Sequence, residues 1–69
     1  MKFTIKPTED YIKLGQLLKA SNLVSSGSEA KACILNGEVY VNGEVCIMRG
    51  KKIVSGDKVS FNGEIIEVS

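Results

Sequence analysis

Arg49-Gly50-Lys51-Lys52 places three cationic side chains around one glycine within four positions. That combination suits an anionic polymer. A guanidinium can grip two phosphate oxygens at once, an ammonium adds a compact point charge, and glycine lets the backbone come close. Each phosphate neutralised releases counterions, so several such contacts would make binding strongly salt-dependent. The same four residues would also suit a solvated turn whose charges serve solubility alone. Tyr40 poses a parallel choice. Alternating with Val39 and Val41, it faces the other side of a strand, where it could stack on a base or pack at a sheet edge.

Other chemistries are poorly supplied. The chain has no histidine, so a Ser or Cys nucleophile would need Lys, Asp or an amine as its partner, and no spacing suggests such a pair. The acidic residues fall in turns and exposed strand positions and form no acid–base pair. Six residues separate Gly43 from Gly50-Lys51, where a phosphate loop has four, and Lys52 stands where a magnesium-binding Ser or Thr belongs. Cys33 and Cys46 lack the further ligands of a zinc site and read as reduced, largely buried thiols. These residues point away from an enzyme and imply no cofactor and no metal.

The opening Met1-Lys2-Phe3-Thr4-Ile5-Lys6-Pro7 lacks the apolar stretch of a signal peptide, and no run approaches the ~20 apolar residues of a membrane span. A soluble, cytoplasmic protein is expected. Net charge is only +1, but it is unevenly spread. Between Tyr11 and Lys58, Lys13, Lys19, Lys31, Arg49, Lys51, Lys52 and Lys58 outnumber Glu29, Glu38, Glu44 and Asp57. Outside that span Lys2 and Lys6 are outnumbered by Glu9, Asp10, Glu64 and Glu67. The middle of the chain is basic and its ends are acidic.

The elements that must position these residues follow from periodicity. With 69 residues the chain is read as a single domain over 1–69, small enough to bury only about 60% of its unfolded surface. Lys2 to Ile5 alternates as a short strand ended by Pro7, and Tyr11-Ile12-Lys13 is a second extended piece or a helix entry. Leu14, Leu17 and Leu18 predict a helix from Leu14 to about Ala20, with Gly15 at its N-cap. Ser26 and Glu29 form a capping-box pattern that opens a second helix, which repeats Ala30, Cys33 and Ile34 and ends at Asn36-Gly37. The short link from Asn22 to Ser25 makes the two helices a compact pair.

After Gly37 the period becomes two. Asn42-Gly43 separates Glu38-Val39-Tyr40-Val41 from Glu44-Val45-Cys46-Ile47, and Asn62-Gly63 separates Lys58-Val59-Ser60-Phe61 from Glu64-Ile65-Ile66-Glu67-Val68. Asn-Gly between alternating segments is the strongest short hairpin signal. The expected fold class is α+β: two packed helices with a small twisted antiparallel β-sheet.

This order resembles the S-four-type RNA-binding domain, whose fold is the alpha-L motif, over residues 13–59. The signposts are Lys13-Leu14-Gly15-Gln16-Leu17-Leu18-Lys19, Ser26-Gly27-Ser28-Glu29-Ala30-Lys31, Gly37-Glu38-Val39-Tyr40-Val41-Asn42-Gly43 and Gly56-Asp57-Lys58-Val59. The first two, with Arg49-Gly50-Lys51-Lys52, are similar to the short stand-alone bacterial proteins of the YaaA/YbcJ type. Two positions depart from that pattern: Ser28 stands where a second glycine is frequent, and Met48 where a further basic residue is common.

The resemblance implies binding of structured RNA, such as ribosomal RNA, in a ribosome- or translation-related role. Carried over by position, the RNA-binding residues are Lys13, Ser26, Gly27, Lys31, Arg49, Gly50, Lys51 and Lys52. The alternative is a protein-interaction or regulatory module using an apolar patch of Tyr40, Ile47 and Met48.

Overall fold

The computed structural model describes all residues from 1 to 69. Strands β1 (Lys2–Phe3) and β2 (Ile12–Lys13) precede helices α1 (Leu14–Ala20) and α2 (Gly27–Leu35). Strands β3 (Val39–Val41), β4 (Glu44–Val45), β5 (Lys52–Ile53), β6 (Lys58–Phe61) and β7 (Glu64–Val68) follow. Five strands form one sheet in the order β1-β7-β6-β3-β4, and β2 pairs with β5 in a separate two-stranded ribbon.

Alternation decides the inner face of the sheet. Val39 and Val41, Val59 and Phe61, and Ile66 and Val68 are buried, while Tyr40 and Ile65 are exposed. Against that face lie Leu14, Leu17 and Leu18 of α1, Ala30 and Ile34 of α2, and Ile53 of β5, in one core of 13 apolar residues. The two helices pack on each other. Both Asn-Gly pairs form hairpin turns as expected. Asn42 and Gly43 have φ of 52° and 86°, and Asn62 and Gly63 have φ of 52° and 82°, the positive values a type I′ turn requires at both central positions.

The α+β expectation holds, with one correction to the sheet. It is mixed, because β1 runs parallel to β7, with Lys2 opposite Glu67 and Phe3 opposite Val68. Neighbouring hairpins are antiparallel by necessity, but β1 meets β7 only after the chain has passed through both helices, and that connection permits the parallel direction. Two expected strands, Lys2 to Ile5 and Glu44 to Ile47, are also shorter by two residues each. Past Phe3 the chain still bonds to its partner through Ile5 N–H to Ser69 C=O at 2.7 Å. After Val45, Cys46 N–H donates to Val39 C=O at 2.9 Å and the chain then leaves the sheet.

Both helix starts differ in detail from the expected caps. Lys13, not Gly15, is the N-cap residue of α1, and its side chain makes no capping bond. The first amides of α1 instead donate across the fold: Leu14 N–H to Lys51 C=O at 2.9 Å and Gly15 N–H to Arg49 C=O at 3.1 Å. Orphan helix amides need some acceptor, and here a distant loop provides it. At α2, Ser26 Oγ accepts from Glu29 N–H at 3.2 Å, the first half of a capping box. The Glu29 carboxylate does not return to the cap; it accepts from Ser25 Oγ at 3.0 Å.

Candidate functional site

The basic segment lies between the end of β4 and the start of β5, and its backbone is tied down on both sides. Antiparallel pairing sets Ile12 opposite Ile53 and Lys13 opposite Lys52. Ile53 is completely buried, so the two lysines, directly opposed on the same face of the ribbon, point outward. The carbonyls of Arg49 and Lys51 are held by the first amides of α1. Arg49 is therefore fixed beside the start of α1, close to the first turns of α2.

An open cleft of about 440 Å³ results, lined by Lys13, Gly15, Gln16, Gly27, Lys31, Arg49 and Gly50. Three of these are cations contributed by three different parts of the chain, and no lining residue is apolar or acidic. None of the three cationic side chains takes part in the side-chain hydrogen bonds of the fold, which join Ser, Thr, Asn, Asp, Glu and Cys to one another or to the backbone. Free cations around a glycine-bordered recess can take phosphate oxygens without first breaking internal bonds. The start of α2, with Gly27 as its first residue, adds the positive end of a helix dipole to the same wall.

Of the eight candidate residues, Lys13, Gly27, Lys31, Arg49 and Gly50 line this cleft together, and Ser26, Lys51 and Lys52 do not. The Ser26 hydroxyl caps α2. Lys51 borders a different groove, shared with Val45, Ile47, Met48, Glu44 and Asp57. Lys52 turns back over Tyr11, its Nζ 5.0 Å from the ring centroid, a contact that holds the ammonium by the ring's negative face. Gly15 and Gln16 line the cleft without having been candidates. Gln16 could have been found, since it lies off the stripe of Leu14, Leu17 and Leu18 that faces the core.

The alternative patch is exposed but lies apart from the cleft. Ile47 and Met48 are 57% and 63% exposed and border the groove with Lys51. Tyr40, in register with Val45 on one side and Ser60 on the other, stands on the outer face of the sheet. Cys33 plays no part in either surface. Burial, reinforced by Glu38 and Glu29, pushes its thiol above the ordinary range, so it stays protonated and a poor nucleophile at neutral pH.

A family model described as "S4 domain" matches residues 5–69. The chain belongs to the S4-domain family. The match extends past residues 13–59 in both directions and takes in β2, both helices, both hairpins and the basic segment between them. Among curated relatives of this S4-domain chain, "Putative RNA-binding protein YbcJ" of Escherichia coli (strain K12) is 40% identical over 58 residues, covering 84% of this chain and 83% of that protein. "Probable ribosome maturation protein RlbA" of Bacillus subtilis (strain 168) is 41% identical over 54 residues, covering 78% and 76%. The fold is similar to the solution structure of E. coli YbcJ, with a TM-score of 0.71 at 36% identity over 97% of this chain and 84% of that one. That structure is described as revealing an alfaL motif involved in RNA-binding. The S4-domain fold here shares that helix pair and sheet.

Proposed function

We propose that this chain is a non-catalytic RNA-binding module, that residues 1–69 act as one S4-type unit, and that the cleft between the two helix starts and the 46–51 loop is its RNA-binding surface. The observation that carries this reading is the convergence of Lys13, Lys31 and Arg49 on a recess with no carboxylate in its lining. A site built for a peptide or an uncharged metabolite would place apolar side chains there. The names of the E. coli and B. subtilis relatives support RNA as the ligand, and the second supports a ribosomal one. Shape and phosphate placement suit folded RNA, whose deep major groove hides its base edges. Such a role would be exercised in the cytoplasm.

Binding to ribosomal RNA fragments, measured against salt concentration, tests the reading. Replacing Lys13, Lys31 and Arg49 together by Ala is expected to weaken binding and to reduce the slope of log K against log salt by roughly two to three, about one for each phosphate left without its cation. Lys51→Ala is expected to change the slope less than any of the three. An unchanged slope in the triple variant would reject the cleft as the binding surface. Co-sedimentation with ribosomal particles at low salt separates a ribosomal ligand from other structured RNA.

A further inference from the structure

Beside the basic cleft lies a second depression of about 380 Å³, lined by Thr8, Glu9, Asp10, Tyr11, Lys13 and Gln16. Lys13 and Gln16 border both recesses, so the two adjoin at the start of α1. We propose that Tyr11 and Gln16 form a base-binding subsite, which takes an unpaired nucleotide of the RNA whose phosphates lie in the basic cleft. The proposal rests on the RNA-binding reading above and adds what kind of RNA the site selects.

The change of charge between the two recesses indicates which part of a nucleotide fits each. Phosphates are drawn to Lys13, Lys31 and Arg49. The second recess draws them less, because the carboxylates of Glu9 and Asp10 offset the charge of Lys13 there. A nucleobase is neutral, carries N–H groups that a carboxylate can accept from, and has a face that stacks on an aromatic ring. Tyr11 offers that ring. It is 37% exposed, it borders the recess, and the Lys52 ammonium 5.0 Å from its centroid supports it. Gln16, at the junction, can both donate and accept with its amide. A base held inside a continuous duplex is already stacked and paired, so the subsite favours a bulge or loop over uninterrupted helix.

Three RNA hairpins of equal length distinguish the possibilities: one with a single-nucleotide bulge, one with an abasic residue at that bulge, and one fully paired. The abasic hairpin keeps the phosphate and removes only the base. Wild-type protein is expected to bind the bulged hairpin on the order of tenfold more tightly than the abasic one, the usual effect of one stacked base. Tyr11→Ala is expected to erase that difference while leaving affinity for the abasic hairpin nearly unchanged, and Tyr11→Phe to keep it. Gln16→Ala is expected to reduce it in part. Equal binding of bulged and abasic hairpins by wild type, or equal weakening of both by Tyr11→Ala, would overturn the subsite while leaving the phosphate cleft standing. Failure of the wild type to bind any of the three would overturn both.

Discussion

Gly15 is the second residue of α1, and a Cβ placed there would lie 3.6 Å from the carbonyl oxygen of Arg49, an ordinary contact. Alanine costs a helix up to about 1 kcal/mol less than glycine, and less than that near an end. Gly15→Ala is therefore expected to stabilise the fold by about 0.5 kcal/mol in urea denaturation. Its methyl would stand in the cleft, so RNA affinity should fall even as stability rises. If both moved together, the glycine would matter only for folding. At this scale the sequence displays the charges but not their directions. Arg49, Lys51 and Lys52 form one cluster by composition, yet the structure sends Arg49 into the cleft, Lys51 to a different groove and Lys52 onto Tyr11. That division depends on which carbonyls of the loop are taken by α1, which no local pattern records. Lys13 and Lys31 were legible because each adjoins or belongs to a helix whose phase is set by its buried residues.

At the scale of elements, one hydrogen-bonded bridge joins the first hairpin to the chain entering β6. Asn42 Nδ2 donates to Asp57 Oδ1 at 3.0 Å, Asn42 Oδ1 accepts from Lys58 N–H at 2.9 Å, and Asp57 Oδ2 accepts from Val54 N–H at 2.9 Å. The Asn of the hairpin turn thus does two things: it takes the positive φ and it anchors the neighbouring turn. Asp57→Ala removes two of these bonds, one to a side-chain amide and one to a backbone amide, and is expected to cost about 1–2 kcal/mol. Urea denaturation reads that loss, and a cost near zero would show that water replaces both bonds freely. The hairpins themselves were legible, because Asn-Gly between alternating segments carries its own geometric demand. The β2–β5 ribbon was not. Strands of two residues are too short to display a period, and their pairing is specified by the long-range burial of Ile12 and Ile53.

For the whole molecule, the 13-residue core spans both helices and three strands of the main sheet, so the cleft rests on the same packing that stabilises the fold. The order β1-β7-β6-β3-β4 contains antiparallel pairs from successive or nearby segments and one parallel pair joining the two extremes of the chain. That parallel direction was not legible, because Lys2-Phe3-Thr4-Ile5 alternates identically whichever way its partner runs. Its consequence is kinetic. The β6–β7 hairpin closes across a two-residue turn, whereas β1 finds β7 only by closing a loop of nearly the whole chain, and long loops are the slower to close. The β1 edge is thus expected to dock last and open first, without unfolding the helix pair. Amide exchange followed by NMR should show Phe3 and Ile5 losing protection well before Val59 and Ile66; equal rates would mean that the molecule opens only as a single unit. A protein of this build would loosen its β1 edge while the two helices that wall the cleft stay packed on each other.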